Sequence, residues 1–255
     1  MTRVLAVIPA RLASTRLPRK VLLNKTGKTL IQHVWEGAKS CPAIDKLVVA
    51  TDAEEVKAAV RKFGGESIMT SESCQSGTDR VAEAARSYPG FDIIVNVQGD
   101  EPEMAKEPLQ ALIEGMLKRS PEMGTVAVAW PHGVPLSEPG FVKVVTDLRG
   151  NALYFSRSPI PFYRDNPDAA PESLRADGQP RYWKHVGLYA YHAAFLQKYA
   201  SMKPTALEQA EGLEQLRALE NGHRIAVFPT AYSGYEVNTP ADYEAFVARE
   251  LARKV

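Results

Sequence analysis

The sequence predicts an α/β fold in which a Rossmann-like, mainly parallel sheet lies between flanking helices. Short apolar runs rich in valine and isoleucine occupy residues 4–8, 47–51 and 92–97. Amphipathic patterns at 31–40 and 53–63 follow the first two runs and are typical of helices. Because strands and helices that alternate along a chain build parallel sheets, this order predicts one sheet covered by helices.

Length and composition are those of an ordinary globular protein. The chain has 255 residues, of which 45% are apolar and 24% are charged, and it is long enough to bury a sizeable core. Its net charge of +1 argues against nucleic acid or a membrane surface as a partner, since both favour a field of one sign. The two cysteines, Cys41 and Cys74, form no disulfide framework or zinc pattern, and we expect both to be reduced.

No apolar run approaches the roughly 20 residues of a membrane span. The N-terminal apolar stretch is short and is interrupted by Pro9 and Arg11. It therefore lacks the pattern of a signal peptide, and we expect a cytoplasmic protein.

A cationic loop leaves the first strand at Pro9. Residues 4–20 read VLAVIPARLASTRLPRK, and the first 35 residues hold seven Lys or Arg but no Asp or Glu. Cations gathered on one loop repel one another unless a polyanion binds among them, and guanidinium groups match phosphate oxygens. Ligands of open α/β sheets bind beyond the carboxyl ends of strands, so we expect Arg11, Arg16 and Lys20 to hold a triphosphate. A solvated basic loop is the alternative.

Two further loops carry polar groups at the ends of predicted elements. Residues 76–80 read SGTDR at the start of a helix, where Ser76 or Thr78 can cap the first turn. Gln98 and Asp100 lie in VQGDEP, after the third predicted strand. A carboxylate at a strand end, beside a glycine, commonly holds a nucleotide-bound Mg²⁺, so Asp100 is the first candidate metal ligand. A plain helix start and a plain turn are the structural alternatives.

The rest of the chain continues the alternation of strands and helices. We predict strands at 66–69, 125–129, 141–145, 182–191 and 225–228, and helices from about 78, at 108–119, at 205–221 and from 239 onward. The segment 152–164, ALYFSRSPIPFYR, predicts an edge strand with an ordered turn, and the polar stretch 165–180 predicts a mobile surface loop. Capping boxes begin the last two helices at Thr205 with Glu208 and at Thr239 with Asp242.

These motifs resemble those of the CMP-KDO synthetase (3-deoxy-manno-octulosonate cytidylyltransferase) family. IPAR with STRLP and Lys20, SGTDR, VQGDEP, ALYFSRSPIP, HVGLYAY and VNTP correspond to its signatures in the right order. The resemblance implies a nucleotidylyltransferase-type sheet and a homodimer, and we expect a single domain over residues 1–255 with a small dimerisation subregion around 140–190. It also implies that CTP and 3-deoxy-manno-octulosonate (KDO) react to CMP-KDO and pyrophosphate, with Mg²⁺ as cofactor, for lipopolysaccharide biosynthesis.

On the nucleotide side, the resemblance implies that Ser76 and Arg80 lie near the cytosine and that Asp100 and Asn238 hold the metal. The full nucleotide-binding set that it implies is Pro9, Ala10, Arg11, Arg16, Lys20, Ser76, Arg80 and Gln98. The anomeric hydroxyl would attack the α-phosphorus in line, without a covalent enzyme intermediate. Lys20, Arg16 and Asp100 would carry catalysis by neutralising and positioning charge.

On the sugar side, the resemblance implies contacts from Gln98, Arg157, His185, Tyr189, Glu211 and Gln215. Arg157 would face the sugar acid, because a carboxylate must be drawn toward an already anionic nucleotide. Glu211 and Gln215, four residues apart on the predicted helix, would bind sugar hydroxyls. By itself, a single histidine on a strand, such as His185, is more often a packed residue.

Four positions depart from the family's common pattern, and these are Arg19 for Gly, Val21 for Pro, Cys74 for His and Asn238 for Asp. An amide oxygen brings no charge to a metal, so metal binding would also depend on Glu236, the substrate and water. Two alternatives therefore stay open. The protein could activate another sugar acid with CTP, such as 8-amino-KDO or a sialic acid, or it could be a nucleotide-binding regulator without turnover.

Overall fold

The computed structural model describes residues 2–12, 16–231 and 234–253, which contain nine strands and eight α-helices. The strands are β1 (Val4–Ala10), β2 (Lys46–Thr51), β3 (Ser67–Met69), β4 (Ile93–Asn96), β5 (Met123–Ala129), β6 (Lys143–Thr146), β7 (Ala152–Ser156), β8 (Trp183–His192) and β9 (Ile225–Pro229). The helices are α1 (Leu30–Lys39), α2 (Glu54–Lys62), α3 (Gly77–Arg86), α4 (Lys106–Arg119), α5 (Ala193–Ala200), α6 (Ala206–Glu211), α7 (Leu216–Glu220) and α8 (Pro240–Ala252).

All of these strands belong to one sheet, whose main path is β3-β2-β1-β4-β8-β5-β9, with β6 paired to β8 and β7 to β6. β1 pairs in parallel with β2 and β4, β2 with β3, and β5 with β9. β8 runs antiparallel to both β4 and β5. The predicted mainly parallel sheet is confirmed, with β8 as an antiparallel insertion. The carboxyl ends of the neighbouring strands β1 and β4 lie at the same edge.

The sheet separates two hydrophobic cores, and β1 contributes to both. Val4, Ala6 and Ile8 pack on one face with α1, α2 and α4, while Leu5 and Val7 pack on the other with α3. Successive side chains of a strand point to opposite faces, so burial on both sides explains the unbroken apolar run at the start of the sequence.

A third, smaller cluster joins the loop after β1 to the C-terminal helix α8. Its buried members are Leu17, Leu30, Val237, Tyr243, Phe246 and Val247. Leu17 follows Arg16 directly, and Val237 precedes Asn238. Burial of these two apolar residues in one cluster therefore brings the cationic loop and the VNTP segment together.

The prediction of a single helix at 205–221 is wrong, because this segment forms two short helices, α6 and α7. Gly212 ends α6 in the left-handed conformation, with φ of 61°, which favours glycine. The capping box of Thr205 and Glu208 is present as predicted. Glu211 and Gln215 consequently do not share a helical face.

The other predicted elements are present, with boundaries that differ by a few residues. β7 is an edge strand that pairs with β6, and α8 begins with the predicted Thr239 cap and Pro240. The stretch 165–180 contains turns and an isolated bridge between Leu174 and Pro180. In the part of the chain that the structure describes, no helix is long and apolar enough to cross a membrane.

Candidate active site

The cationic loop reaches the end of the sheet next to β4. Arg11 and Arg16 are exposed, whereas Lys20 is half-buried at the start of a 3₁₀ turn, Lys20–Leu22. Leu17 anchors the loop in the third cluster. Residues 13–15, which belong to the predicted phosphate loop, lie outside the described residues.

Asp100 follows β4 and faces Lys20. The Lys20 Nζ donates to Asp100 Oδ2 over 2.8 Å, in an ion pair whose side chains are 12% and 28% exposed. Gly99 allows this approach, because a Cβ at that position would lie 2.7 Å from the Pro9 carbonyl oxygen. The loops that leave β1 and β4 are therefore in direct contact.

Asn238 completes this group of charged and polar side chains. Its Oδ1 accepts hydrogen bonds from Arg16 Nη2 at 3.2 Å and from Lys20 Nζ at 3.3 Å. Its Nδ2 donates to Glu236 Oε2 at 2.8 Å. The amide thus lies between two cations on one side and a carboxylate on the other.

Glu236 is close enough to Asp100 for their charges to interact. Its side chain is accessible to water, yet surrounding protein atoms desolvate it, and this raises its pKa above the ordinary value. The negative charge of Asp100 raises that pKa further, while Asn238, Lys184 and Lys20 oppose the shift. A cation between Asp100 and Glu236 would relieve this repulsion.

The start of α3 lies next to Pro9, where the cationic loop leaves β1. Ser76 caps α3, since its Oγ accepts from the Asp79 N–H at 3.1 Å and its own N–H donates to Asp79 Oδ2 at 3.0 Å. Arg80 is 3% exposed and donates to Asp52 Oδ2 at 2.6 Å and to Thr70 Oγ1. Its guanidinium is thereby held in place.

Cys74 lies beside this cap, where the family commonly has histidine. Its thiol donates to Glu83 Oε2 at 3.2 Å. Burial raises the pKa of Cys74 to about 11, and the neighbouring Glu83 carboxylate adds to the shift. The thiol is therefore protonated at neutral pH.

Many of these residues line one cleft of about 250 Å³, the nucleotide cleft. Each of the eight residues predicted to bind the nucleotide lies on its wall, as do the two predicted metal ligands. The lining residues are Pro9, Ala10, Arg11, Arg16, Lys20, Val21, Cys74, Ser76, Gly77, Arg80, Gln98, Gly99, Asp100 and Asn238.

A second cavity of about 680 Å³, the acceptor cavity, opens directly beside the first. The two share Arg16, Gln98 and Asn238. Of the residues predicted to bind the sugar, the acceptor cavity is lined by Gln98, Arg157, His185, Tyr189 and Gln215.

His185 is a buried, neutral side chain in this cavity. Its Nε2 lies 3.0 Å from Thr125 Oγ1, and its ring meets Phe155 edge-on at 5.0 Å. Burial lowers the pKa of His185 to about 3, with a further contribution from the charge of Lys184. At neutral pH His185 can therefore orient a ligand by hydrogen bonding but carries no positive charge.

Glu211 does not line the acceptor cavity. Its Oε1 accepts from Ser156 Oγ at 2.6 Å, and its Oε2 accepts from the Arg157 main-chain N–H at 3.0 Å. The break at Gly212 directs this carboxylate toward the end of β7 instead of toward the cavity. Glu211 thus stabilises the segment that carries Arg157.

Arg157 also bonds mainly to the main chain. Its Nε donates to the Glu211 carbonyl at 2.7 Å, its Nη1 to the Pro139 carbonyl at 2.8 Å and its Nη2 to the Gly212 carbonyl at 3.3 Å. The guanidinium lies at the cavity wall, with part of its hydrogen-bonding capacity committed to three carbonyl groups.

The chain matches the family model for cytidylyltransferases over residues 5–225. It is 49% identical to the 3-deoxy-manno-octulosonate cytidylyltransferase of Geobacter sulfurreducens over 94% of this chain and 96% of the relative, and 47% identical to the Pelobacter propionicus protein of the same name over 99% and 98%. The chain belongs to the 3-deoxy-manno-octulosonate cytidylyltransferase family. A solved CMP:2-keto-3-deoxy-manno-octonic acid synthetase complexed with CTP has a TM-score of 0.89 to this chain, with 40% identity and 100% of both chains covered.

The family assignment and the α/β fold predicted from the motifs are thus confirmed, and the structure accounts for one departure from the family's pattern. Arg19, where the family commonly has glycine, has φ of 57°, in the left-handed region that favours glycine. Its guanidinium pairs with Glu55 and is not on the wall of the nucleotide cleft. Arg19 keeps the conformation of a glycine and contributes no charge to the site.

The structure identifies two buried polar side chains of the acceptor cavity, each with an atom that lacks a hydrogen-bond partner in the described part of the chain, which the sequence could not show. Glu214 is missing from the predicted set, although burial raises its pKa and its Oε1 has no hydrogen-bond partner among the described residues. The neighbouring Gln215 is 4% exposed, and its Nε2 likewise has no partner there.

Proposed function

We propose that this protein transfers CMP from CTP to 3-deoxy-manno-octulosonate and releases pyrophosphate. The observation that carries the proposal is the junction of the two cavities at Arg16, Gln98 and Asn238. A hydroxyl group bound in the acceptor cavity would lie next to a phosphate bound in the nucleotide cleft. Sequence similarity to 3-deoxy-manno-octulosonate cytidylyltransferases supports CTP and 3-deoxy-manno-octulosonate as the two substrates.

On the nucleotide side, Arg11, Arg16 and Lys20 would bind the triphosphate. Lys20 is held by Asp100 at 2.8 Å, so its ammonium is already positioned before a substrate binds. Ser76 and Arg80 would lie beside the cytosine. Because Arg80 donates to Asp52 and Thr70, we expect it mainly to fix the shape of this end of the cleft.

In the reaction, the anomeric hydroxyl oxygen would form a bond to the α-phosphorus while the bond from that phosphorus to the α,β-bridging oxygen breaks. The electron pair of the broken bond leaves with pyrophosphate, and the hydroxyl proton passes to solvent. Arg16 and Lys20 would stabilise the negative charge that develops on the leaving group. His185 is neutral and would orient the acceptor.

The donor set at the cavity junction fits Mg²⁺. Asp100 and Glu236 offer carboxylate oxygens and Asn238 an amide oxygen, which are hard ligands of the kind that Mg²⁺ prefers. Among the described residues, no cluster of three or more His, Cys, Asp or Glu forms a complete metal cage. Mg²⁺ is commonly held by one or two carboxylates together with substrate phosphates, so this smaller set is sufficient. A bound Mg²⁺ would supply Lewis-acid polarisation of the α-phosphate.

On the acceptor side, we propose Gln98, His185, Tyr189 and Gln215 as ligands of the sugar hydroxyls. Glu214 takes the place that the sequence suggested for Glu211, because it lines the cavity and its buried Oε1 has no hydrogen-bond partner among the described residues. An unsatisfied buried carboxylate oxygen is costly unless a ligand hydroxyl donates to it.

We further propose that the chain is one domain and forms a homodimer through the region around 140–190. Several large apolar side chains are exposed there, and these are Leu148, Leu153, Phe162 and Leu174. If these side chains form one patch, the patch would be typical of an interaction surface. Light scattering after size-exclusion chromatography, on the native chain and on a Leu153→Asp, Phe162→Asp variant, tests this directly.

A coupled pyrophosphate-release assay tests the proposed reaction. CTP with KDO and Mg²⁺ should release pyrophosphate, whereas omission of KDO or addition of a chelator should abolish release. Parallel reactions with 8-amino-KDO and a sialic acid measure the acceptor preference. If the enzyme released no pyrophosphate with any of these acids while still binding CTP, the transfer proposal would be wrong.

A further inference from the structure

Lys184 is a cation of the acceptor cavity that the motifs did not single out. It lies on β8, opposite Val128 of β5 and Lys143 of β6, and its side chain lines the cavity. Its Nζ lies 4.3 Å from the centre of the Phe141 ring. Within residues 2–12, 16–231 and 234–253, this ammonium donates no hydrogen bond and has no carboxylate within 4.0 Å. Its donors are therefore available to a ligand.

The other two cations near this wall are already engaged. Arg157 donates to the carbonyl groups of three residues, as described above. Lys143 is fully buried, and its Nζ donates to the carbonyl groups of Glu138 at 2.9 Å and Arg157 at 2.8 Å. These two side chains tie together the loops that form the wall. Of these three cations, Lys184 is the one that donates no hydrogen bond to the described residues, and it lines the cavity.

We propose that Lys184 binds the carboxylate of the acceptor and so makes the protein select sugar acids over neutral sugars. The inference rests on the proposed function and assigns this part of substrate recognition to Lys184 instead of Arg157. A charge-assisted hydrogen bond between an ammonium and a carboxylate is strong and gains strength in a partly desolvated cavity.

The surroundings of Lys184 fit this role. Glu236 and Glu101 act on it electrostatically and favour its charged form, although burial lowers its pKa. The aromatic ring of Phe141 supports the side chain from one side, so few conformations are left to lose on binding. Because the cavity also contains Glu138 and Glu214, a substrate carboxylate would be repelled without a cation.

The test compares the native enzyme with Lys184→Met, which keeps the apolar stem against Phe141, and with Lys184→Arg, which keeps the charge. Lys198→Met, at an exposed position of α5, is the matched control. Pyrophosphate release is measured with KDO and with its methyl ester. We expect Lys184→Met to raise the KM for KDO by about 10- to 100-fold without changing the KM for CTP, as for the loss of a charge-assisted bond.

The ester distinguishes recognition of the carboxylate from a general structural effect. The native enzyme and Lys184→Arg should prefer the acid strongly, whereas Lys184→Met should lose most of that preference. An unchanged KM for KDO, or equal rises for acid and ester, would overturn the inference. If the native enzyme releases no pyrophosphate, the proposed function fails instead, and calorimetric titration of KDO into the native and Lys184→Met proteins still decides whether Lys184 binds it.

Discussion

The main-chain N–H of Val237 donates a 2.8 Å hydrogen bond to the carbonyl oxygen of Asp100. This bond joins the segment before α8 to the loop after β4. Val237 is fully buried in the cluster that also contains Leu17, so the main chain and a small core set the positions of Asp100 and Asn238. The two candidate metal ligands are consequently in place before any ligand arrives.

The first prediction concerns Lys20. Lys20→Met removes the cation that faces Asp100 and Asn238, and we expect kcat/KM for CTP to fall by about 10²- to 10³-fold, the range seen when a charge-stabilising donor is removed. Pyrophosphate release measures the effect. Lys25→Met is the matched control, because Lys25 forms an exposed ion pair with Glu244. Equal activities of the two variants would contradict a role of Lys20 in charge stabilisation.

The second prediction concerns Glu236 and Asn238. If Glu236 is the second anionic ligand, Glu236→Gln should weaken Mn²⁺ binding in the presence of CTP by about tenfold or more, whereas Asn238→Asp adds a carboxylate and should strengthen it. Electron paramagnetic resonance of Mn²⁺ measures both affinities without turnover.

The same pair of variants separates an enzyme from a regulator. A native chain that binds CTP but does not turn over, combined with an active Asn238→Asp variant, would identify a regulator. Activity in both proteins would support the enzyme. An unchanged Mn²⁺ affinity in Glu236→Gln would remove Glu236 from the proposed ligand set.

The nucleotide cleft was largely predictable because its residues lie at strand and helix ends. The apolar run of β1 predicts a buried strand, and the neighbouring parallel strand β4 must end at the same edge. Arg16 and Asp100 could therefore be placed near each other from local patterns. The antiparallel direction of β8 was harder to predict from the sequence. A buried apolar strand has the same sequence pattern whether it pairs in parallel or antiparallel.

The acceptor cavity was less predictable, because its geometry depends on one backbone conformation. Gly212 lies within a helical pattern, where a single glycine is either tolerated or ends the helix, and here it adopts φ of 61° and ends α6. The break directs Glu211 to Ser156 and leaves Glu214 in the cavity wall. The bonds of Arg157 to main-chain carbonyls also join distant segments, which sequence patterns do not report.

The third prediction concerns Gly99. A Cβ in Gly99→Ala would lie 2.7 Å from the Pro9 carbonyl oxygen, so one of the two loops must shift. We expect a loss of roughly 1–3 kcal/mol in the free energy of unfolding, as for other overpacked sites, together with weaker CTP binding. Urea unfolding and calorimetry measure the two effects.

Gly77→Ala is the matched control for Gly99→Ala, because its Cβ would also face Pro9, but at an ordinary 3.5 Å from the ring. Gly77 lies in the first turn of α3, where alanine is tolerated. We expect Gly77→Ala to unfold at the same urea concentration as the native protein or a higher one. Equal stability of both variants would show that the β1 and β4 loops adjust freely.

The last prediction concerns the pH dependence of stability that His185 creates. Burial lowers the pKa of His185 to about 3 in the folded protein, below the ordinary value of 6.5. Between these two values the unfolded chain binds a proton that the folded protein does not. The stabilising contribution is therefore complete above pH 6.5 and decreases as the pH falls toward 3, by at most about 1.4 kcal/mol per pH unit.

Urea unfolding between pH 7 and 4 measures this dependence. His185→Gln retains a polar group for Thr125 but cannot be protonated, so its unfolding free energy should fall less steeply over the same range. His132→Gln should follow the native curve, because the His132 side chain is 90% exposed. Parallel curves for the native protein and His185→Gln would mean that His185 takes up its proton equally in the folded and unfolded protein, and the lowering of its pKa by burial would then be wrong.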